Sequence, residues 1–185
     1  MATWGSRGLR GSQLEEIINV TNEKYRDLKL ALVQKIPTPI TPIDIDDNRH
    51  ITLAYFEQRS TVDYIGVVQT YAVCFDAKEC AKDQFPVANV HEHQYKFMKD
   101  FEEQGGIAFL LIYYSKRNQF YYMRFKELDK FYTRAVNGGL KHFKIEELDP
   151  MYFIGPKSGI QVHYLDGIQM DLNERNTEGF DKNQG

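Results

Sequence analysis

Apolar residues recur along this chain with two distinct periods, and the switches between them mark its elements. Leu14, Ile17, Ile18, Thr21 and Tyr25 fall at helical spacing. They follow Ser12 and Glu15, three positions apart, a capping box in which each side chain serves the other's amide. The spacing predicts an amphipathic helix of roughly 15 residues, then a strand over 31–34. Pro37, Pro39 and Pro42 come next; they forbid a helix and remove amide donors from any sheet. That segment is expected to be extended, with turn chemistry at Asp46, Asp47, Asn48 and Arg49. Returning through Ile51, Leu53 and Tyr55, it reads as a two-stranded projection or as an ordinary exposed hairpin.

Two strands around Asp63 and Asp76 are expected to meet at a turn near Val68, Gln69 and Thr70. Tyr71, Val73 and Phe75 take the core phase, and Asp76 emerges where that short apolar run ends. Asn89 and Glu92 have capping-box spacing. Val90, Gln94, Phe97, Met98 and Phe101 then trace a helical stripe that stops at Gly105 and Gly106. The apolar run Ile107–Tyr114 reads as a central strand covered on both faces. A further strand follows over 119–125 and a short helix over 126–134. Beyond Pro150 the pattern weakens, with a strand expected over 161–164 and a polar, flexible tail over 173–185. The order predicts an α/β or α+β sandwich with a mixed central sheet and helices on its faces. Residues 1–172 are read as a single domain.

Composition narrows the class. The 185 residues are 42% hydrophobic and 14% aromatic, as a folded domain with a sizeable core requires. No apolar run approaches the roughly 20 residues needed to span a bilayer. Met1 to Arg7 lead into glycine and arginine, not into an apolar signal core, so a cytoplasmic protein without membrane contact is expected. The two cysteines, Cys74 and Cys80, lack the spacing of a zinc site or a disulfide framework. Any metal must then take oxygen ligands, which favours Mg2+ or Mn2+ over Zn2+. A net charge of −3 argues against indiscriminate binding to polyanions. A local basic patch remains open, from Arg7, Arg10, Lys116, Arg117, Arg134, Lys141, His142 and Lys144.

The candidate chemistry lies at Asp63, Asp76 and Lys78. Period-two alternation puts Asp76 and Lys78 on one side of their strand, with Asp63 arriving from the strand before. Two carboxylates beside an ammonium hold a divalent cation and orient water, the equipment of a metal-dependent phosphodiesterase. The same Asp-x-Lys is also what a solvated surface pair looks like. Gln94 lies on an apolar stripe, where a buried amide needs partners. Its oxygen would serve a metal or a coordinated water, or else the backbone. His91 and His93 flank Glu92 without the i, i+4 spacing of a helical zinc pair.

Several colinear segments together resemble the RecU-type Holliday junction resolvases of the PD-(D/E)xK nuclease superfamily. They begin with Arg7-Gly8, Leu14-Glu15-Glu16 and Ile18-Asn19-Val20-Thr21-Asn22, then Lys35-Ile36-Pro37-Thr38-Pro39 and Ala54-Tyr55-Phe56. Ser60-Thr61-Val62-Asp63-Tyr64, Phe75-Asp76-Ala77-Lys78-Glu79, Phe85-Pro86, Asn89-Val90-His91-Glu92-His93-Gln94 and Gln104-Gly105-Gly106-Ile107 follow. The resemblance implies a restriction-endonuclease-like α/β fold: a mixed central sheet flanked by helices, with a projecting two-stranded stalk at about 37–55. It implies a Mg2+-dependent, structure-selective endonuclease that resolves four-way DNA junctions by paired incisions, with Mn2+ able to substitute. Thr61, Asp63, Asp76 and Gln94 would surround the metal, and Lys78 would stabilise charge on the transferring phosphate. Arg7, Lys35 and Arg49 match positions used around DNA. A homodimer is implied, along with a recombinase partner.

Four features depart from the family pattern. Asp76 stands where glutamate is common, Leu9 to Gly11 look inserted, the overall charge is less basic, and the shortened stalk carries Asp44, Asp46 and Asp47. They keep open a junction-binding or recombinase-modulating protein with vestigial cleavage. A restriction-like nuclease acting on duplex DNA is the other alternative, and the proline-rich stalk disfavours it.

Overall fold

The computed structural model describes residues 13–37, 40–56 and 61–182. Its helices are α1 (Gln13–Asp27), α2 (Glu92–Glu103), α3 (Phe125–Val136) and α4 (Tyr164–Lys182). The first strands are β1 (Ala31–Lys35), β2 (Ile40–Ile45), β3 (Ile51–Phe56), β4 (Tyr64–Val68) and β5 (Tyr71–Cys80). The others are β6 (Gln84–Pro86), β7 (Ile107–Tyr114), β8 (Gln119–Arg124), β9 (His142–Lys144) and β10 (Phe153–Ile154). Ser12, the proposed cap of α1, lies outside the described residues.

Six strands form the central sheet in the order β1-β4-β5-β7-β8-β10. Neighbours are antiparallel except β5 and β7, which run parallel. A parallel pair needs a crossover, and α2 supplies it. The sheet is mixed and helix-covered, as expected from the sequence.

Packing explains which residues sit where. Tyr64, Phe75 and Phe109 are register neighbours on β4, β5 and β7. Their rings stack with centroids 4.7 and 4.5 Å apart, and Tyr122 of β8 continues the row at 4.4 Å from Phe109. Tyr164 of α4 leans on Phe75 and Phe109 and meets Tyr25 of α1 edge-on, so α1 and α4 cover this face. On the other face, β5 turns Cys74 and Asp76 toward α2, and both are fully buried. β7 is buried along its whole length, as its unbroken apolar run predicts.

Four expectations need correction. Asp76 does not emerge at a strand end; it is midway along a ten-residue strand. Tyr71, assigned the core phase, is 42% exposed because it lies beside the β4–β5 turn. No strand forms over 161–164, where Tyr164 already opens α4; that 19-residue helix takes up 173–182 of the expected flexible tail, and 183–185 lie outside the described residues. Beta strand β10 lies earlier, pairing with β8 at the sheet edge.

The segment after β1 forms the antiparallel hairpin β2–β3, which shares no strand with the six-stranded sheet. Its residues Ile40, Ile43, Ile45, Ile51, Leu53 and Tyr55 are all about half exposed. At the tip, Asp46 Oδ1 accepts hydrogen bonds from the amides of Asn48 and His50, and Arg49 takes a positive φ of 64°.

Candidate active site

The antiparallel register between β4 and β5 assembles the carboxylates. Tyr64 opposes Phe75, so one step further along the pair Asp63 faces Asp76. Asp63 is tied there: its Oδ2 accepts the Ala77 amide at 3.0 Å, while its own carbonyl accepts Ile36 N–H at 2.8 Å. The first bond reaches across to β5 and the second to the end of β1.

Asp76 is enclosed. Its Oδ1 accepts a 2.8 Å hydrogen bond from Gln94 Nε2, between two buried residues. Its Oδ2 has no aligned hydrogen-bond donor, and the Lys78 ammonium lies 2.5 Å away as an ion pair. Lys78 is two residues on and on the same side, which period-two alternation predicts. Burial first, then the negative charge of Asp63, pushes the Asp76 carboxyl up to about 7, with Lys78 pulling the other way. A carboxylate held this way gains from a cation near Oδ2.

Gln94 is fixed at both ends of its amide. His91 is the N-cap of α2, and its backbone N–H donates to Gln94 Oε1 at 3.1 Å. The helix therefore starts two residues beyond the expected cap at Asn89. Glu92 does not serve that cap; it pairs with Lys96 at 2.6 Å. Sequence reasoning missed the His91 N–H and the Ala77 N–H as holding groups. Gln at the third helical position was the available signal for His91, since that position reaches back to the N-cap.

Thr61 lies exposed just ahead of Asp63 on the approach to the site. Lys35, at the end of β1, pairs with Glu15 Oε2 at 2.8 Å. Arg49 is exposed at the tip of hairpin β2–β3, which is separate from the sheet that carries Asp76. Arg7 lies outside the described residues.

The donor set suits a hard divalent cation. Asp63 and Asp76 offer oxygens, and Asp76 Oδ2 is a buried acceptor without an aligned donor. No group of three or more His, Cys, Asp or Glu set for a metal occurs among the described residues. Two carboxylates then leave most of the coordination to water, as Mg2+ prefers. Among the described residues, no helix is long and apolar enough to cross a membrane.

The family described as Recombination protein U (RecU) matches residues 9–170. The Holliday junction resolvase RecU of Pediococcus pentosaceus is 36% identical over 162 residues, covering 85% of this chain and 77% of that protein. Its counterpart in Lactococcus lactis is 40% identical over 146 residues, covering 76% and 68%. That of Leuconostoc mesenteroides is 38% identical over 171 residues, covering 89% and 83%. Among solved structures, Archaeoglobus fulgidus Hjc, a Holliday junction resolvase, aligns at 9% identity and a TM-score of 0.39 over 63% of this chain and 73% of its own. That likeness is too distant to carry an argument. The long, colinear match to the RecU proteins does carry one: this chain belongs to the RecU family.

Proposed function

We propose that this protein is a Mg2+-dependent endonuclease that resolves four-way DNA junctions by paired incisions. The observation that carries this reading is the convergence of Asp63, Asp76 and Lys78 at one point of the β4–β5 pair. Its context is a RecU-family chain whose relatives are named Holliday junction resolvases.

Asp63 and Asp76 hold the divalent ion, with Thr61 at the approach. When bound, Mg2+, or Mn2+ in its place, neutralises phosphate charge and lowers the pKa of water enough for attack near neutral pH. Lys78 donates to the non-bridging phosphate oxygens as negative charge builds on them. The Ala77 amide keeps Asp63 oriented throughout. Hairpin β2–β3 enters the open centre of the junction, with Arg49 at its tip. Lys35 at its root and Arg7 contact the phosphate backbone. A homodimer presents two equivalent sites to two equivalent strands, which gives paired cuts.

The test is cleavage of a labelled four-way junction beside a linear duplex of matched sequence, in Mg2+, with wild type and Asp76→Ala together. Symmetric nicks on the junction alone, lost in the variant, are expected. Tight junction binding without cleavage by wild type would instead identify a junction-binding protein.

A further inference from the structure

Strand β5 outruns its partner on one side. Its register with β4 closes at Phe75, opposite Tyr64, while its pairing with β7 runs on to Cys80. Residues 76–80 therefore have one paired edge and one open edge. Two contacts fix which way the backbone groups point. Cys80 C=O accepts Ser115 N–H at 3.0 Å, just past the end of β7, so Cys80, Lys78 and Asp76 turn their backbone groups to β7. Ala77 N–H donates to Asp63 Oδ2 at 3.0 Å on the opposite edge. Backbone groups alternate between the two edges of a strand, so the Glu79 N–H points the same way as the Ala77 N–H. Glu79 is exposed, and among the described residues nothing accepts its N–H.

We propose that the Glu79 main-chain N–H grips the phosphate next to the scissile one on the strand being cut, a contact that rests on the nuclease reading above. Ala77 and Glu79 are two residues apart, about 6.6 Å along the strand, comparable to the step between neighbouring phosphates of one DNA strand. Asp63, held by Ala77, and Lys78 mark the scissile phosphate at one end of that step, and the Glu79 N–H marks the other. Backbone N–H groups are regular partners of phosphate oxygens; they fix register without reading sequence, as structure-selective cutting requires. Lys78 precedes the donor, and the exposed Lys82 lies two residues past the end of β5, so positive charge flanks it on both sides. The Glu79 carboxylate leaves from the face opposite Lys78. Another protein strand is the usual partner of an open sheet edge, but a single free amide between lysines does not support a ladder.

The experiment compares Glu79→Pro with Glu79→Ala in the full-length protein. Both lose the carboxylate, but only proline also loses the N–H, and an edge position whose N–H faces solvent tolerates it. On a labelled four-way junction in Ca2+, Glu79→Ala should bind close to wild type. Glu79→Pro should bind about tenfold or more weakly, as for one lost hydrogen bond to a charged group. A methylphosphonate, which removes the charge, is then placed at the phosphate on each side of the scissile one in turn. On one side it should weaken wild type and leave Glu79→Pro indifferent. Equal affinities for the two variants, or penalties that simply add, would overturn the contact.

Amide hydrogen exchange on wild type covers the case in which proline disturbs β5. The Glu79 N–H should exchange fast in the free protein and become protected on the junction, while the Ala77 N–H is protected in both. Protection of Glu79 already in the free protein would show a closed edge and refute the inference, as would fast exchange that persists in the complex. Mg2+-dependent cleavage by wild type keeps the two readings apart. Junction cleavage without any effect at Glu79 removes this contact alone. Loss of both junction binding and cleavage in wild type removes the nuclease reading, and the contact falls with it.

Discussion

At the scale of single residues, the two charged partners of Asp76 act in opposite directions. Lys78 is paired with Asp76 Oδ2 and retains 20% side-chain exposure, enough to reach substrate. Removing its charge by Lys78→Ala should slow junction cleavage by about 10²–10³, the usual loss for one electrostatic donor. Junction affinity, measured in Ca2+ to block cleavage, should stay nearly unchanged; an equal loss in both would make Lys78 a binding residue. Asp76 itself carries a pH signature. Burial and Asp63 raise it from 3.8 to about 7. Between those values the folded protein keeps a proton that the unfolded chain has released. Metal-free protein therefore loses stability as pH rises from about 4 to about 7. Asp76→Asn should remove that slope and melt several degrees higher than wild type at pH 8 without metal. Parallel melting profiles of the two proteins across this range would contradict the assignment. The positions of Asp63, Asp76 and Lys78 were legible in the sequence because strand alternation and hairpin register are local. The burial of Asp76 was not, since it depends on a helix that returns from beyond β6.

At the scale of elements, α4 was the least legible part of the chain, for a physical reason. Its polar residues look solvent-facing by periodicity, yet several of them make the contacts that seat it. Arg175 donates to both oxygens of Glu102 at 2.7 Å and to Asp171 at 2.8 Å. Glu102, near the end of α2, also accepts the Ala108 amide of β7 at 2.7 Å. Asp171 accepts Tyr122 OH of β8 at 3.1 Å. One arginine therefore joins helices on opposite faces of the sheet around the start of its central strand. Gly167 lets α4 settle there, since a Cβ would lie 2.4 Å from the Tyr122 ring. Arg175→Ala leaves Glu102 and Asp171 facing each other without their cation, a cost of roughly 2–3 kcal/mol. Urea denaturation should show that loss in the midpoint with an unchanged slope. Arg175→Lys should recover less than half of it, because an ammonium does not span two carboxylates as a guanidinium does.

At the scale of the whole molecule, the hairpin β2–β3 stands apart from the sheet that builds the site. Its acidic residues looked adverse to DNA in the sequence, but two of them organise the hairpin. Asp46 closes the tip, and Asp44 accepts Thr52 Oγ1 at 2.9 Å. The apolar side chains along its strands, each about half exposed, give the hairpin little core of its own. Replacing residues 40–55 by a short glycine–serine link should change the melting temperature by no more than a few degrees. The same change should cut the preference for junction over duplex by tenfold or more, read as the ratio of the two Kd values. An unchanged ratio would remove the hairpin from junction recognition.

The parallel pairing of β5 with β7 also sets an order of assembly. Asp63, Asp76 and Lys78 belong to a local hairpin, whose ends meet without a long loop. Gln94 reaches Asp76 only once the crossover has closed and β7 has docked, a non-local and slower event. A chain emerging from the ribosome thus carries its acidic residues before the helix whose Gln94 amide donates to Asp76. The site is therefore complete only when the sheet is.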